Sequence, residues 1–247
     1  MIVVEWSFFI IKNTSCATRK FIRNHIYLLA LPLLFLSSIN RPSHETTELY
    51  AKSSIVNAKR IANPGCFATN TQLLIAPLLP YLDRNAQPTV FGISGYSGAG
   101  TKSGKTPKID PNELKKGGGV RIYSLTDHIH EREAGYHLSS LLPPSSSSAS
   151  ESTTNPFSIA FIPSVAPWFS GILSTVSIPL SKEMRASEVR SAFEEYYKGM
   201  QLIKIVEGVP EVGDIMGGHG VRIGGFQVHS SGKRVVVVVR PFSFLVV

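Results

Sequence analysis

The hydrophobic pattern of the second half of the chain is typical of strands. Alternation with a period of two predicts a strand with one buried face, whereas five consecutive valines at 235–239 predict a strand buried on both faces. Hairpin turns such as Ser230-Ser231-Gly232 separate some of these segments. The predicted strands cover residues 89–94, 121–125, 157–162, 172–180, 202–206, 221–229 and 234–240.

Helical spacing occurs at 45–55, 68–82, 131–142 and 187–198. Pro77 predicts a kink or an early end of the second helix, and Ser187 is expected to cap the last one. The intervening residues 95–119, rich in Gly, Ser, Lys and Pro, are expected to form a long loop. Because strands outnumber helices, we predict an α+β domain with a mixed, largely antiparallel sheet and helices packed on one face.

The first 44 residues differ from the rest, since they are apolar and basic and are expected to be poorly ordered or helical. The apolar run at 26–39 contains Pro32 and is shorter than the roughly 20 residues of a membrane helix. A signal-like or anchoring segment and an organellar presequence are two interpretations. A non-native segment joined by a wrong gene boundary is the third, and we favour it. Residues 45–240 form the predicted domain, with a serine-rich insert at 143–156 and an unrelated tail at 241–247.

The net charge of the 247-residue chain is +8, but its Lys and Arg residues are scattered. This distribution argues against nucleic acid as a partner and fits a small anionic molecule, and we expect no membrane partner. Cys16 and Cys66 lie in very different contexts, so no disulfide is expected and a reducing compartment is indicated.

Cys66 follows a Pro-Gly turn and opens an apolar helix. Exposed amides and the positive end of the helix dipole are expected to lower the pKa of such a thiol and to hold an oxyanion. The alternative is a buried cysteine that acts as a small hydrophobic residue. The turn before the helix favours the nucleophile.

Two histidines, His128 and His130, stand in the charged segment 127–133, where they can supply a general base and its orienting partner. A metal site is the rival interpretation, but it lacks a third ligand nearby, so we predict none. A solvated, polar helix start is the structural alternative. Only folding can bring these rings close to Cys66.

The segment 94–100 is rich in small residues, among them Ser94, Gly95, Ser97 and Gly98. Small residues let the backbone approach a flat ring or a phosphate closely. By itself this pattern is weak, and it is not the Gly-x-Gly-x-x-Gly fingerprint of a dinucleotide-binding domain.

Together these motifs resemble N-acetyl-gamma-glutamyl-phosphate reductase, in particular the fungal form at the C-terminal end of a mitochondrial bifunctional precursor in arginine biosynthesis. The segments that carry the resemblance are 62–66, 92–100, 126–133, 165–172 and 219–239. Aspartate-semialdehyde dehydrogenase shares the same thioester chemistry, but the Asp-His-Ile-His-Glu-Arg-Glu segment favours the acetylglutamyl enzyme.

The resemblance implies that a thiolate displaces phosphate from N-acetyl-glutamyl 5-phosphate and that NADPH reduces the resulting thioester to the semialdehyde. Cys66 is then the nucleophile, and His130, or else His128, is the acid/base. Ser94, Gly95, Ser97 and Gly98 are expected to line the nicotinamide side.

The resemblance further implies that Asn63, Arg132 and Glu133 bind the acyl-phosphate substrate. It implies a homo-oligomer and a mitochondrial location; without it, a cytoplasmic location would be expected.

Family members begin with a Rossmann domain, which we expect to be missing here. NADP would then bind weakly, and the chain alone would have little reductase activity. The alternative is a non-enzymatic remnant that only folds, or dimerises with intact subunits.

Overall fold

The structure, a computed structural model, describes residues 64–102, 106–142, 157–211, 213 and 220–241. Several predicted features lie outside these residues: the leader, the helix at 45–55, Asn63, the serine-rich insert at 143–156 and the tail after residue 241. None of the described helices is both long and apolar enough to cross a bilayer.

A seven-stranded sheet with the order β4-β5-β1-β6-β9-β8-β7 forms the centre of the fold. The pairs β1–β5 and β7–β8 are parallel, whereas the other four neighbouring pairs are antiparallel. A separate hairpin joins β2 and β3. The strands are β1 Thr89–Gly95, β2 Thr101–Lys102, β3 Thr106–Pro107, β4 Arg121–Ile122, β5 Ala160–Ala166, β6 Ile172–Pro179, β7 Ile203–Ile205, β8 Val221–Val228 and β9 Arg234–Pro241. The mixed, largely antiparallel sheet is therefore confirmed.

Within the described residues, four α-helices accompany the sheet: α1 Cys66–Ile75, α2 Pro111–Lys116, α3 Ile129–Ser140 and α4 Ala186–Tyr196. Helix α1 packs on β6 and β9 and touches α3, while α4 packs on β8. The Tyr197 hydroxyl, just after α4, donates to the Leu73 carbonyl of α1 at 2.7 Å. These three helices thus share one face of the sheet, as predicted.

The core lies between this face and the helices. Along β9, Val235, Val237 and Val239 are fully buried beneath them. The intervening Val238 points to the opposite face and is 7% exposed. On the opposite face Val236 is only partly buried, so the predicted burial of the valine run on both faces is confirmed in part.

Prolines divide the predicted helix at 68–82. It begins two residues earlier, at Cys66, and ends at Ile75, where a 3₁₀-helix, Ala76–Tyr81, continues the chain. Pro77 lies at the start of this tighter helix and Pro80 inside it. A proline lacks the N–H that the α-helical ladder needs, so the early end follows.

The prediction of a long loop at 95–119 is wrong. This segment holds the 3₁₀-helix Tyr96–Ala99, the β2–β3 hairpin and α2. Asp110 caps α2, because its carboxylate accepts from the Asn112 N–H at 2.8 Å, and Pro111 occupies the first turn. The Asp-Pro pair was the missed signal.

Other predicted boundaries shift by several residues. Helix α4 starts from Arg185 rather than Ser187, since the Glu188 carboxylate accepts the Arg185 N–H at 2.7 Å. The strand predicted at 157–162 runs from Ala160 to Ala166. The strand predicted at 121–125 keeps only its first two residues, Arg121 and Ile122.

Gly92 of β1 lies directly beneath the Phe67 ring of α1, and a substitution at Gly92 tests this packing. A Cβ at residue 92 would overlap the Phe67 ring. We predict that Gly92→Ala lowers the free energy of unfolding by about 1–3 kcal/mol, measured by urea denaturation. Gly208→Ala is the control, because nothing lies within 4 Å of its Cβ position. Equal stability of the Gly92→Ala variant and the parent would contradict this packing.

Candidate active site

Cys66 is the first residue of α1, directly after the N-cap residue Gly65. The Thr69 N–H and hydroxyl both bond to the Gly65 carbonyl, at 2.9 and 3.1 Å, which closes the first turn. The thiol is partly buried and forms no disulfide among the described residues. The sequence thus placed the thiol correctly at a helix start.

Burial raises the pKa of the Cys66 thiol to about 11, although the backbone N–H groups of Phe67 and Cys66 act to lower it. The negative charge of Glu133 adds to the increase. The expected lowering of this pKa is therefore wrong for the protein without bound ligands. Helix amides do reach the sulfur, but the loss of solvation outweighs them.

His130 lies in the first turn of α3 and is 4% exposed. Its ring is packed against Gly65, so that a Cβ at residue 65 would overlap Nε2. The structure therefore places the His130 ring against Gly65, the residue that precedes Cys66. Cys66 and His130 lie 64 positions apart in the sequence (130 − 66). Burial, and then the neighbouring His128, lower the pKa of His130 to about 3, so the ring is neutral at physiological pH.

His128 has a structural role as the N-cap of α3. Its Nδ1 accepts from the His130 N–H at 3.3 Å, and its ring stands 4.8 Å from the His130 ring centroid. Burial lowers its pKa as well. The sequence offered His128 as the second acid/base, but the capping bond already engages its Nδ1.

Glu133 connects the turn before Cys66 with the His130 side chain on α3. Its Oε1 accepts from the Gly65 N–H at 3.1 Å, and its Oε2 lies 4.0 Å from His130 Nε2. Arg132, the preceding residue, is exposed and forms no ion pair with any described residue. An unpaired guanidinium remains available for an anionic ligand.

Aromatic rings pack against the site on its apolar side. The sequence pattern did not single them out. Phe161 of β5 lies 5.0 Å from the Phe67 ring and 5.4 Å from the His128 ring. Tyr123, just after β4, stands edge-on to His128 at 5.8 Å. Burial, followed by the nearby Cys66 sulfur, raises the pKa of this phenol. Aromatic residues on predicted strands were the available signal.

The glycine-rich segment offers an incomplete fit to a nicotinamide ring. Gly95 donates its N–H to the Gly171 carbonyl at 2.8 Å, and a Cβ there would meet the Phe169 backbone, so this glycine serves packing. The Ser97 hydroxyl is different, because it is buried without a hydrogen-bond partner among the described residues. A Cβ added at Gly98 would make only ordinary van der Waals contact, with Ser94 Oγ at 3.6 Å. Ser94 is largely buried beside Ser97 and Gly98.

No metal site is found within the described ranges, where no three His, Cys, Asp or Glu side chains form a group suited to holding an ion.

The thiol pKa predicts slow alkylation of Cys66. Iodoacetamide at about pH 8 should modify it more slowly than free cysteine, with a rate that rises towards a midpoint near pH 11. Peptide mapping reports Cys66 separately from Cys16, and the urea-unfolded chain is the control that should behave as free cysteine. A midpoint at or below the ordinary value of 9.0 would mean that the helix amides dominate.

Comparisons with known proteins agree with this geometry. The chain is 45% identical over 198 residues to "Protein arg-6, mitochondrial" of Neurospora crassa, covering 80% of this chain and 20% of that protein. It is 40% identical over 187 residues to the N-acetyl-gamma-glutamyl-phosphate reductase of Xanthomonas euvesicatoria, covering 76% of this chain and 52% of that enzyme. The chain therefore spans about a fifth of the fungal relative and about half of the bacterial one.

Solved structures share the fold. Aspartate semialdehyde dehydrogenase II from Vibrio cholerae superposes with a TM-score of 0.55 at 18% identity, over 77% of this chain and 59% of that one. The enzyme from Francisella tularensis gives 0.54 at 12% identity, over 77% and 62%. The model of the semialdehyde dehydrogenase dimerisation domain matches residues 66–240, from the first residue of α1 to the penultimate residue of β9. The chain belongs to the semialdehyde dehydrogenase family and carries its dimerisation domain.

Proposed function

We propose that this chain supplies the catalytic half of an N-acetyl-gamma-glutamyl-phosphate reductase. The reaction would convert N-acetyl-glutamyl 5-phosphate to N-acetyl-glutamate 5-semialdehyde through a thioester on Cys66. The observation that carries the proposal is the neutral His130 ring packed against Gly65, beside a thiol at a helix start. The names of the bacterial relatives supply the reaction, and the fungal names supply a mitochondrial location.

The first step in this proposal is attack of the Cys66 sulfur on the acyl carbon. A C–S bond forms, the C–O bond to phosphate breaks, and phosphate leaves with its bonding electron pair. Because the thiol pKa is about 11, prior ionisation is costly, and proton transfer to His130 should accompany attack. The N–H groups of Cys66 and Phe67, at the positive end of α1, are placed to stabilise negative charge.

NADPH, when bound, supplies the hydride that reduces the thioester. Ser97 and Gly98 would contact its nicotinamide side, since the Ser97 hydroxyl has no partner within the described residues. His130 would return its proton to the departing sulfur, which restores the thiol. Arg132 would bind an anionic group of the substrate, and Asn63 is proposed beside it from the resemblance alone.

We also propose that the chain alone binds NADP weakly. No Gly-x-Gly-x-x-Gly turn opens a helix in the described part of the chain. A second copy of the chain would be its partner in a homo-oligomer. In the non-enzymatic alternative, the chain only folds, or dimerises with intact subunits. Scattered basic residues still give no reason to propose nucleic acid as a partner.

Phosphate release tests the nucleophile separately from hydride transfer. With the acyl phosphate and no NADPH, the parent chain should release a stoichiometric burst of phosphate. Cys66→Ala should abolish the burst, and His130→Asn should slow it by about 10²–10⁴-fold. His229→Asn is the control, because His229 is exposed and contacts only Ser231 and its own turn. An undiminished burst in Cys66→Ala would refute the proposal.

Pairing of two copies through the helix-free face of the sheet is the proposed assembly. Phe91 on this face is 49% exposed, and Thr175 of β6 lies beside it in register. A second copy would cover this surface, in keeping with the family description as a dimerisation domain.

A charge in the middle of this face should prevent pairing. We predict that Thr175→Arg converts a dimer to a monomer, measured by sedimentation velocity, because a buried unpaired cation is strongly unfavourable. Ser191→Arg on the exposed side of α4 is the matched control and should remain dimeric. A dimeric Thr175→Arg variant would locate the interface elsewhere.

A further inference from the structure

The Glu133 carboxylate lies between the cysteine turn and the histidine helix. Oε1 accepts from the Gly65 N–H at 3.1 Å, and Oε2 lies 4.0 Å from His130 Nε2. The side chain is only 11% exposed. The family resemblance had placed Glu133 among the residues that bind substrate.

We propose that Glu133 is a positioning residue, which fastens the turn before Cys66 to helix α3 and orients the His130 ring. The inference rests on the proposed function, in which Cys66 is the nucleophile and His130 its base. It assigns Glu133 to the scaffold of the site and not to the substrate.

The contact works because three local features coincide. Gly65 has no Cβ, so the His130 ring can lie directly on its backbone. His130 and Glu133 are three residues apart on α3, so both side chains leave the same face of the helix. The Gly65 N–H precedes the helix and has no partner in its ladder, so Glu133 satisfies it across 68 positions of sequence.

The charge of Glu133 argues against a direct electrostatic contribution to nucleophile activation. A carboxylate near the sulfur opposes formation of a thiolate, and Glu133 acts in this direction on Cys66. Its benefit to the reaction is therefore geometric: it holds the thiol and imidazole in one arrangement. Since both oxygens already face protein groups, little of the carboxylate is left for a ligand.

Two substitutions distinguish the hydrogen bond of Glu133 to Gly65 from the negative charge of its carboxylate. Glu133→Gln keeps an oxygen that accepts from Gly65, whereas Glu133→Ala removes it. We expect the Gly65 amide, followed by NMR hydrogen exchange on the full chain, to stay protected in Glu133→Gln and to exchange roughly tenfold faster in Glu133→Ala. Glu131→Gln, two residues earlier on the same helix, is the control and should change neither readout.

Alkylation of Cys66 provides the second readout. In Glu133→Gln the loss of negative charge should move the pH midpoint of iodoacetamide alkylation downwards and raise the rate below it by roughly two- to tenfold. An unchanged Gly65 exchange rate in a folded Glu133→Ala variant would overturn the proposal, as would an unchanged midpoint in Glu133→Gln.

Neither measurement uses acyl phosphate or NADPH. If both behave as expected but the parent chain shows no phosphate burst, the positioning role stands and the proposed reaction fails. If the parent chain shows the phosphate burst but Gly65 exchanges at the same rate in Glu133→Ala, the proposed reaction stands and the positioning role fails.

Discussion

The contact of the His130 ring with the backbone of Gly65 is the constraint on which the site depends. It joins the start of α1 to the start of α3, two helices that the sequence separates by more than fifty residues. The sheet makes the contact possible, because Phe67 of α1 packs against Phe161 of β5, and Phe161 also faces the ring of His128. Any side chain at residue 65 would push the imidazole away from the turn that carries the thiol.

Burial gives the site its chemical character and also its main difficulty. The packing that buries His130 and partly buries Cys66 disfavours the charged forms of both groups. Both pKa shifts therefore disfavour a preformed thiolate–imidazolium pair. In the proposed reaction, substrate binding would bring the electrophile to a thiol whose proton moves as the bond to carbon forms, and the amides of α1 would stabilise the charge that develops.

The sequence predicted the long strands of the sheet and singled out Cys66 and His130, whose neighbourhoods the structure brings together. Period-two alternation and the valine run located the long strands β6, β8 and β9 to within one residue at each end. The Pro-Gly turn before an apolar run correctly indicated that Cys66 opens a helix. Local patterns of this kind depend only on neighbours in the chain, and for that reason they can be read without a structure.

Features that depend on tertiary contacts could not be predicted from the sequence. The capping role of His128 and the bond from Gly65 to Glu133 depend on two distant segments meeting in space. The direction of the thiol pKa was missed because helix dipoles can be inferred locally, whereas the depth of burial cannot. The short helix α2 was not predicted, because the composition of its segment is typical of a loop. The Asp-Pro pair that caps the helix was nevertheless visible in the sequence.

The central claim is that a covalent acyl-enzyme forms on the sulfur of Cys66. The most direct measurement is mass spectrometry of the peptide that contains Cys66, after the full chain has been mixed with N-acetyl-glutamyl 5-phosphate and quenched in acid without NADPH. We expect an increase in mass equal to the N-acetyl-glutamyl group, located on Cys66 and removed by hydroxylamine. An unmodified Cys66 peptide, or the same mass on another residue, would contradict it.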